Sequence, residues 1–287
     1  MVAAAFLFTS MAATVQIASA RLPAPVVVFF RNVVAVLILA PVILRRGWSA
    51  LRTRRFGEHL LRTAAGLASM YGSFYAIAHL PLAEALLLSY TVPLFIPLVE
   101  AVWLHEPMPR RLWAPLAVGF AGVLLVLRPG VGLYQLAALV GLLAGLAAAV
   151  AQTGIRRMTV SEPTVRIVFY FAVLSTVASA APLPLAWVTP TLPLLAVLLL
   201  TGACGTGAQM MMTRAYSFAP AAQVGAFIYV AVLFAMAFDW LRRGKLPDLP
   251  AVAGAILICG AGAFMLRLAP RATRDSPPAP AGENPVG

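Results

Sequence analysis

Charged residues in this chain come in short clusters, and between the clusters the sequence stays apolar for 17 to 23 residues at a time, ten times over. The runs are 2 to 20, 24 to 44, 60 to 79, 82 to 104, 112 to 128, 133 to 155, 165 to 187, 192 to 213, 220 to 241 and 249 to 268. At 1.5 Å of rise per residue a helix of this length crosses a hydrocarbon core of roughly 30 Å, the fifth being marginal. Membrane strands would need alternating segments of about ten residues, and none is present. The chain is 62% hydrophobic and 10% charged, far from the roughly 25% charged residues of soluble domains. The expected fold is an all-α polytopic membrane protein of ten transmembrane helices. Connections are short, leaving no soluble domain, and residues 270–287, rich in proline, read as a disordered cytoplasmic tail.

A net charge of +12 invites a nucleic-acid reading, because basic stripes grip phosphate backbones. Here the Lys and Arg residues sit at the ends of apolar runs, where orientation in the bilayer and contact with anionic lipid account for them. With the N-terminus cytoplasmic, 15 of the 21 basic residues fall inside, among them Arg62, Arg156 and Arg214, and 6 outside, including Arg31 and the cluster Arg242, Arg243 and Lys245. Both termini are therefore expected in the cytoplasm, in a cell inner membrane. Ala18-Ser19-Ala20 resembles a signal-peptidase site, but no basic region precedes the first run and nine more follow, so a retained first helix is expected.

A displacement of 139 residues lays Pro81, Tyr90, Phe95 and Arg128 on Pro220, Tyr229, Phe234 and Arg267, with Glu100 meeting Asp239. Pro, Tyr and Arg seldom coincide by composition alone. The halves, 1–128 and 133–268, thus read as a duplication. Five helices per half is odd, so the second half enters the membrane with opposite polarity, which makes an inverted repeat.

The stretch Phe74-Tyr75-Ala76-Ile77-Ala78-His79-Leu80-Pro81-Leu82-Ala83-Glu84-Ala85, followed by Tyr90-Thr91-Val92-Pro93-Leu94-Phe95, His105-Glu106 and Gly119-Phe120-Ala121-Gly122-Val123, resembles the EamA family of the drug/metabolite transporter superfamily. A weaker copy recurs in Ala215-Tyr216-Ser217-Phe218-Ala219-Pro220. The resemblance implies a ten-helix inverted-repeat carrier with helices 1, 3, 4, 6, 8 and 9 around a central cavity. The second half departs from the pattern, carrying Lys245 where the first has Glu106.

Several polar side chains inside apolar runs are candidate substrate-binding residues. Arg31 reads either as a contact to a substrate carboxylate or phosphate, or as a cation reaching the outer interface, since an intramembrane cation costs about 2.5–3.5 kcal/mol on insertion scales. Glu84 is either a proton-coupling or cation-binding carboxylate, or an acid favoured by a helix N-terminus. Tyr71 and Tyr75, four apart on one helix face, and the repeat-related Tyr90 and Tyr229 offer rings to stack on a solute or to pack. Gln152 and Gln209, like Gln16 and Gln223, bring amides that either meet substrate or bond between helices. Ala137, Gly141, Gly145 and Ala149, and Gly202, Gly205 and Gly207, read as packing seams. Pro93 and Pro97 favour a kink in the fourth helix, with a cavity beside it.

No phosphate-binding loop is present, so the function expected is a secondary carrier of a small organic metabolite, an amino acid, vitamin or nucleoside-like solute, working by alternating access. A membrane enzyme would need a nucleophile with its base, or a metal cluster, yet His59, His79 and His105 stand near helix ends with no motif around them. A receptor or scaffold is the remaining alternative. No metal, cofactor or nucleic acid is expected. The bilayer and a small-molecule substrate are the expected partners, and a homodimer is allowed.

Overall fold

The computed structural model describes residues 1–47, 51–89, 91–104, 110–127, 133–218, 230–244 and 248–268. Among these residues every regular element is helical. In chain order they are α1 (Val2–Ser19), α2 (Ala24–Arg46), α3 (Phe56–His79), α4 (Leu82–Ser89), α5 (Val92–Leu104), α6 (Trp113–Leu127), α7 (Leu133–Met158), α8 (Thr164–Ala180) and the single turn α9 (Leu183–Ala186). Then come α10 (Leu192–Phe218), α11 (Val230–Arg243) and α12 (Leu249–Leu268). Five stretches are long and apolar enough to cross a membrane: α1, α2, α7, α10 and the passage formed by α4 and α5 together. Of the Arg242, Arg243, Lys245 cluster, Arg242 and Arg243 end α11, and Lys245, like the tail 270–287, lies outside the described residues.

Local chemistry sets the helix limits. Pro23 and Pro163 precede α2 and α8, where a missing N–H costs nothing. Gly47, at φ 77°, ends α2 in a conformation that a side chain resists. Leu80 is extended at φ −115° ahead of Pro81, whose ring disfavours a helical residue before it. The fourth apolar run is broken: α4 stops at Ser89 and α5 begins at Val92, one residue before Pro93. Pro93 has no N–H for the Ser89 carbonyl, and buried Thr91 caps the end of α4 with its hydroxyl on the Leu88 carbonyl at 2.7 Å.

Packing follows the small residues. α3 lies along α7, α1 along α10, α6 against α12 and α2 against α8. A methyl group at Gly145 of α7 would meet Thr91 Oγ1 at 2.6 Å and the Leu88 and Ser89 carbonyls at 3.0 and 3.1 Å, so glycine is what lets α7 reach the break. Gly141 similarly admits Ala76 and Leu88, and Gly202 admits Val34. Large apolar residues such as Leu37, Val102, Leu185 and Leu192 face outward, as lipid favours and water does not.

The connections lie at two opposite ends of the bundle. At one end Glu162 accepts from Thr53 Oγ1 at 2.7 Å and from Arg166 Nη1 at 2.8 Å. Beside it the Tyr170 hydroxyl donates to the Leu51 carbonyl, and the His59 ring stacks on Tyr170 at 4.5 Å. At the other end Gln16 Nε2 donates to the carbonyls of Ile77 and Leu80, an interhelical bond of the bland kind. Phe30 meets Trp187 there. Glu100 pairs with Arg156 at 2.8 Å.

Burial by itself raises the pKa of the Glu162 carboxyl. The Thr53 and Arg166 hydrogen bonds, with the Arg166 and His59 charges, outweigh it and hold the group below the usual 4.5. A carboxylate held low in the folded state stabilises the fold above its ordinary pKa, and the contribution fades as pH falls through the folded value. Glu162→Gln is expected to lower the thermal midpoint in detergent at pH 7 and to lose less of it than the wild type below pH 4.5. Gly145→Ala is expected to destabilise by about 1–3 kcal/mol through overpacking. Gly260→Ala, with nothing within 4 Å of the added methyl, should leave the same midpoint unchanged or higher.

Candidate functional site: a buried two-arginine cavity

Beside the break between α4 and α5 lies a cavity of about 120 Å³, bounded by α1, α2, α3, α4, α5, α7, α8 and α10. The volume is near the roughly 150 Å³ of an engineered cavity that takes up benzene, so a larger solute requires the helices to part. Its walls are largely apolar, with Met11, Met70, Phe74 and Met212 supplying soft, adaptable contacts. Ser69, Ser73 and Ser89 add hydroxyls, and the Ser89 hydroxyl is buried with no partner.

Two arginines dominate the site. Arg31 on α2 and Arg62 on α3 are each only 2% exposed. Both face the Phe171 ring of α8, Arg62 with its guanidinium carbon 3.5 Å from the ring centroid and Arg31 at 5.6 Å. Arg31 Nη1 donates to Asn32 Oδ1 at 2.8 Å and Nη2 to the Gly205 carbonyl at 3.3 Å. Arg62 Nη2 donates to Gln209 Oε1 at 3.1 Å. Arg31 Nε, Arg62 Nε and Arg62 Nη1 are buried without partners. Glycine makes room for both heads: a methyl at Gly205 would stand 2.9 Å from Arg31 Nε, and one at Gly66 would stand 2.8 Å from Arg62 Nη1.

Among the described carboxylates, Glu58, Glu100 and Glu162 pair with Arg55, Arg156 and Arg166, and Glu84 sits buried in the first turn of α4 without lining the cavity. Two cations thus stand in a low-dielectric site with neutral ligands only. Among the described residues no group of three or more His, Cys, Asp or Glu could hold a metal, and Cys204 and Cys259 are free thiols.

The structure brings together three of the residues singled out from the sequence: Arg31, Gln152 and Gln209 all line the cavity. Arg31 does not reach for an interface; it is sealed in. Gln152 Oε1 accepts from the buried Tyr216 hydroxyl. Tyr71 and Tyr75 do not line the cavity but pack beside the main apolar core, Tyr75 against His79. The reason is helical phase: Arg62, Gly66, Ser69, Ser73 and Ile77 recur every three or four residues on the cavity face, and Tyr71 and Tyr75 are rotated about 120° or more from each member of that stripe. Tyr90 and Tyr229 lie outside the described residues, as does Gln223.

Arg62 is the residue that the sequence reading did not single out. Its place two residues into an apolar run reads as an ordinary cytoplasmic-side charge. The available signal was the stripe Arg62, Gly66, Ser69, Ser73, a polar or small residue at every helical turn of α3. The resemblance placed helices 1, 3, 4, 6, 8 and 9 around the cavity, whereas the second and seventh, α2 and α8, supply Arg31 and Phe171 to its wall.

A bundle that is helical throughout its described residues, with large apolar side chains outward and two buried arginines in a largely apolar cavity, defines a multi-pass membrane transport protein in class. The EamA-like transporter family model matches residues 1–128 and again 135–267, and the chain belongs to that family. It is 35% identical to the pseudopaline exporter CntI of Pseudomonas aeruginosa, covering 90% of this chain and 91% of the relative. It is 30% identical to a riboflavin transporter of Brucella anthropi, over 93% and 97% of the two chains, and 26% identical to an S-adenosylmethionine uptake transporter of Rickettsia bellii, over 84% and 82%. A solved crystal structure aligns with a TM-score of 0.67 at 19% identity, over 92% of this chain and 98% of its own, a likeness of fold. The protein is a small-metabolite transporter and not an enzyme.

Phe171→Leu removes the ring that both guanidiniums face, and a desolvated cation–π contact contributes about 2 kcal/mol or more. The variant is expected to lose stability on that scale in detergent, read as a lower thermal midpoint, while Phe171→Tyr keeps it.

Proposed function

We propose that the chain is a secondary carrier of ten membrane crossings, built as two inverted five-helix repeats over 1–128 and 133–268, that exposes one central cavity to each side in turn. The crossings are α1, α2, α3, α4 with α5, and α6 in the first half, then α7, α8, α10, α11 and α12 in the second. The observation that carries this reading is the packing pattern. Exchanging the halves turns α1 on α10 into α7 on α3, and α1 on α11 into α7 on α4 and α5, while α2 on α8 and α6 on α12 map onto themselves. A pseudo-two-fold axis in the membrane plane has that property, and it makes two packings nearly equal in energy. The doubled family match and the displacement of 139 residues support the same duplication.

Some crossings fall short of a strict apolar criterion for physical reasons. α3 has 24 residues, long enough to cross, but it turns Arg62, Ser69 and Ser73 to the cavity, where polarity is wanted rather than penalised. The charge count supports cytoplasmic termini in an inner membrane, with 270–287 as the tail.

Relatives named for pseudopaline, riboflavin and S-adenosylmethionine support a small organic metabolite as cargo. The test is saturable flux in proteoliposomes, with a panel of amino acids, vitamins and nucleoside-like solutes, with and without a proton gradient. A disulfide introduced across the 51–59 and 157–166 segments should stop flux, and reduction should restore it. Solute binding with no flux in either direction overturns the carrier reading.

A further inference from the structure

Taking the cavity as the transport site, we propose that its cargo is a small organic oxyanion carrying two negative charges, held by the Arg31 and Arg62 guanidiniums beside the Phe171 ring. The charges themselves argue for this. An isolated cation in a membrane interior is expensive, and here there are two, each 2% exposed, grouped around a single ring. Each has formed part of its hydrogen bonding with neutral acceptors, Asn32, the Gly205 carbonyl and Gln209, and left the remainder open. Three nitrogens with N–H groups, Arg31 Nε, Arg62 Nε and Arg62 Nη1, have no acceptor among the described residues.

Guanidinium is a planar fork of donors with no acceptor, suited to carboxylate or phosphate oxygens. Two forks facing one ring neutralise two charges. A monoanion would leave one cation unpaired, and a neutral or cationic solute would leave both. The rest of the cavity sets the rest of the molecule: the Ser89 hydroxyl and those of Ser69 and Ser73 meet a polar group, and the methionines and Phe74 cover a short carbon frame. Two carboxylates on a short chain and one phosphate monoester share this chemistry.

The test uses the full chain in detergent, with succinate, glutarate, glycerol 3-phosphate, inorganic phosphate, propionate and neutral succinamide as probes, read by thermal shift and calorimetry. A dianion is expected to raise the midpoint and to bind at least about ten-fold tighter than propionate, a difference of about 1.4 kcal/mol, with succinamide silent. Dicarboxylate against phosphate monoester then separates the two sources of charge, and inorganic phosphate alone tests whether the carbon frame matters. Arg31→Met and Arg62→Met should abolish the dianion shift while leaving the ligand-free midpoint equal or higher, because each removes an unsatisfied buried charge. Gln209→Glu, which hands Arg62 an internal carboxylate, should raise the ligand-free midpoint and weaken the dianion. Equal binding of succinamide and succinate, or no dianion shift in the wild type, overturns the proposal, as do arginine variants that keep the shift. Flux of a neutral or cationic solute without dianion binding overturns this inference and leaves the carrier standing; dianion binding without any flux does the reverse.

Discussion

Two sealed-in guanidiniums facing the one Phe171 ring form the arrangement on which the centre of this protein depends. Burying a cation in a low dielectric is unfavourable by several kcal/mol even after relaxation. Two of them held together demand compensation from every side, and the surrounding helices are arranged to provide it. The ring offers its negative face, the Gly205 carbonyl and Gln209 accept hydrogen bonds, and Gly66 and Gly205 clear the space that the flat heads occupy. These contributions come from α3, α8 and α10, so the charge pair also fixes how those helices meet α2.

The break between α4 and α5 is the second device. A continuous helix along the fourth run would lie flat against α7. With Pro93 offering no N–H to the Ser89 carbonyl, the run divides at the cavity wall, and glycine at 145 lets α7 approach the buried carbonyls of Leu88 and Ser89. The same helix pair therefore supplies tight packing and a polar lining, two demands that an uninterrupted apolar helix could not meet together.

A bundle of this kind gains little from apolar contact between helices, because lipid is as apolar as leucine. Close approach at small residues and a few interhelical hydrogen bonds carry the association instead. Gln16 on the carbonyls at the end of α3 and Thr201 on Thr14 are examples of the second kind, and Gly122 against the Gly254 carbonyl of the first. Packing held by such contacts can exchange one set for an equivalent set at small cost.

The amino-acid sequence by itself determined the solvent, the helical class and the family, because each is written in short-range or periodic signals: run length, charge spacing and one contiguous motif. It also marked Arg31, Gln152 and Gln209, polar groups too expensive to leave in apolar helices without a use or a partner. Tertiary structure alone decided which helix faces meet. It turned Tyr71 and Tyr75 away from the cavity, brought Arg62 from a boundary charge to the cavity wall, and set Phe171, silent in the sequence, against both cations. Those choices rest on the rotation of each helix about its own axis and on contacts between residues more than a hundred positions apart, such as Arg62 and Gln209. No local pattern encodes the two together; only packing does.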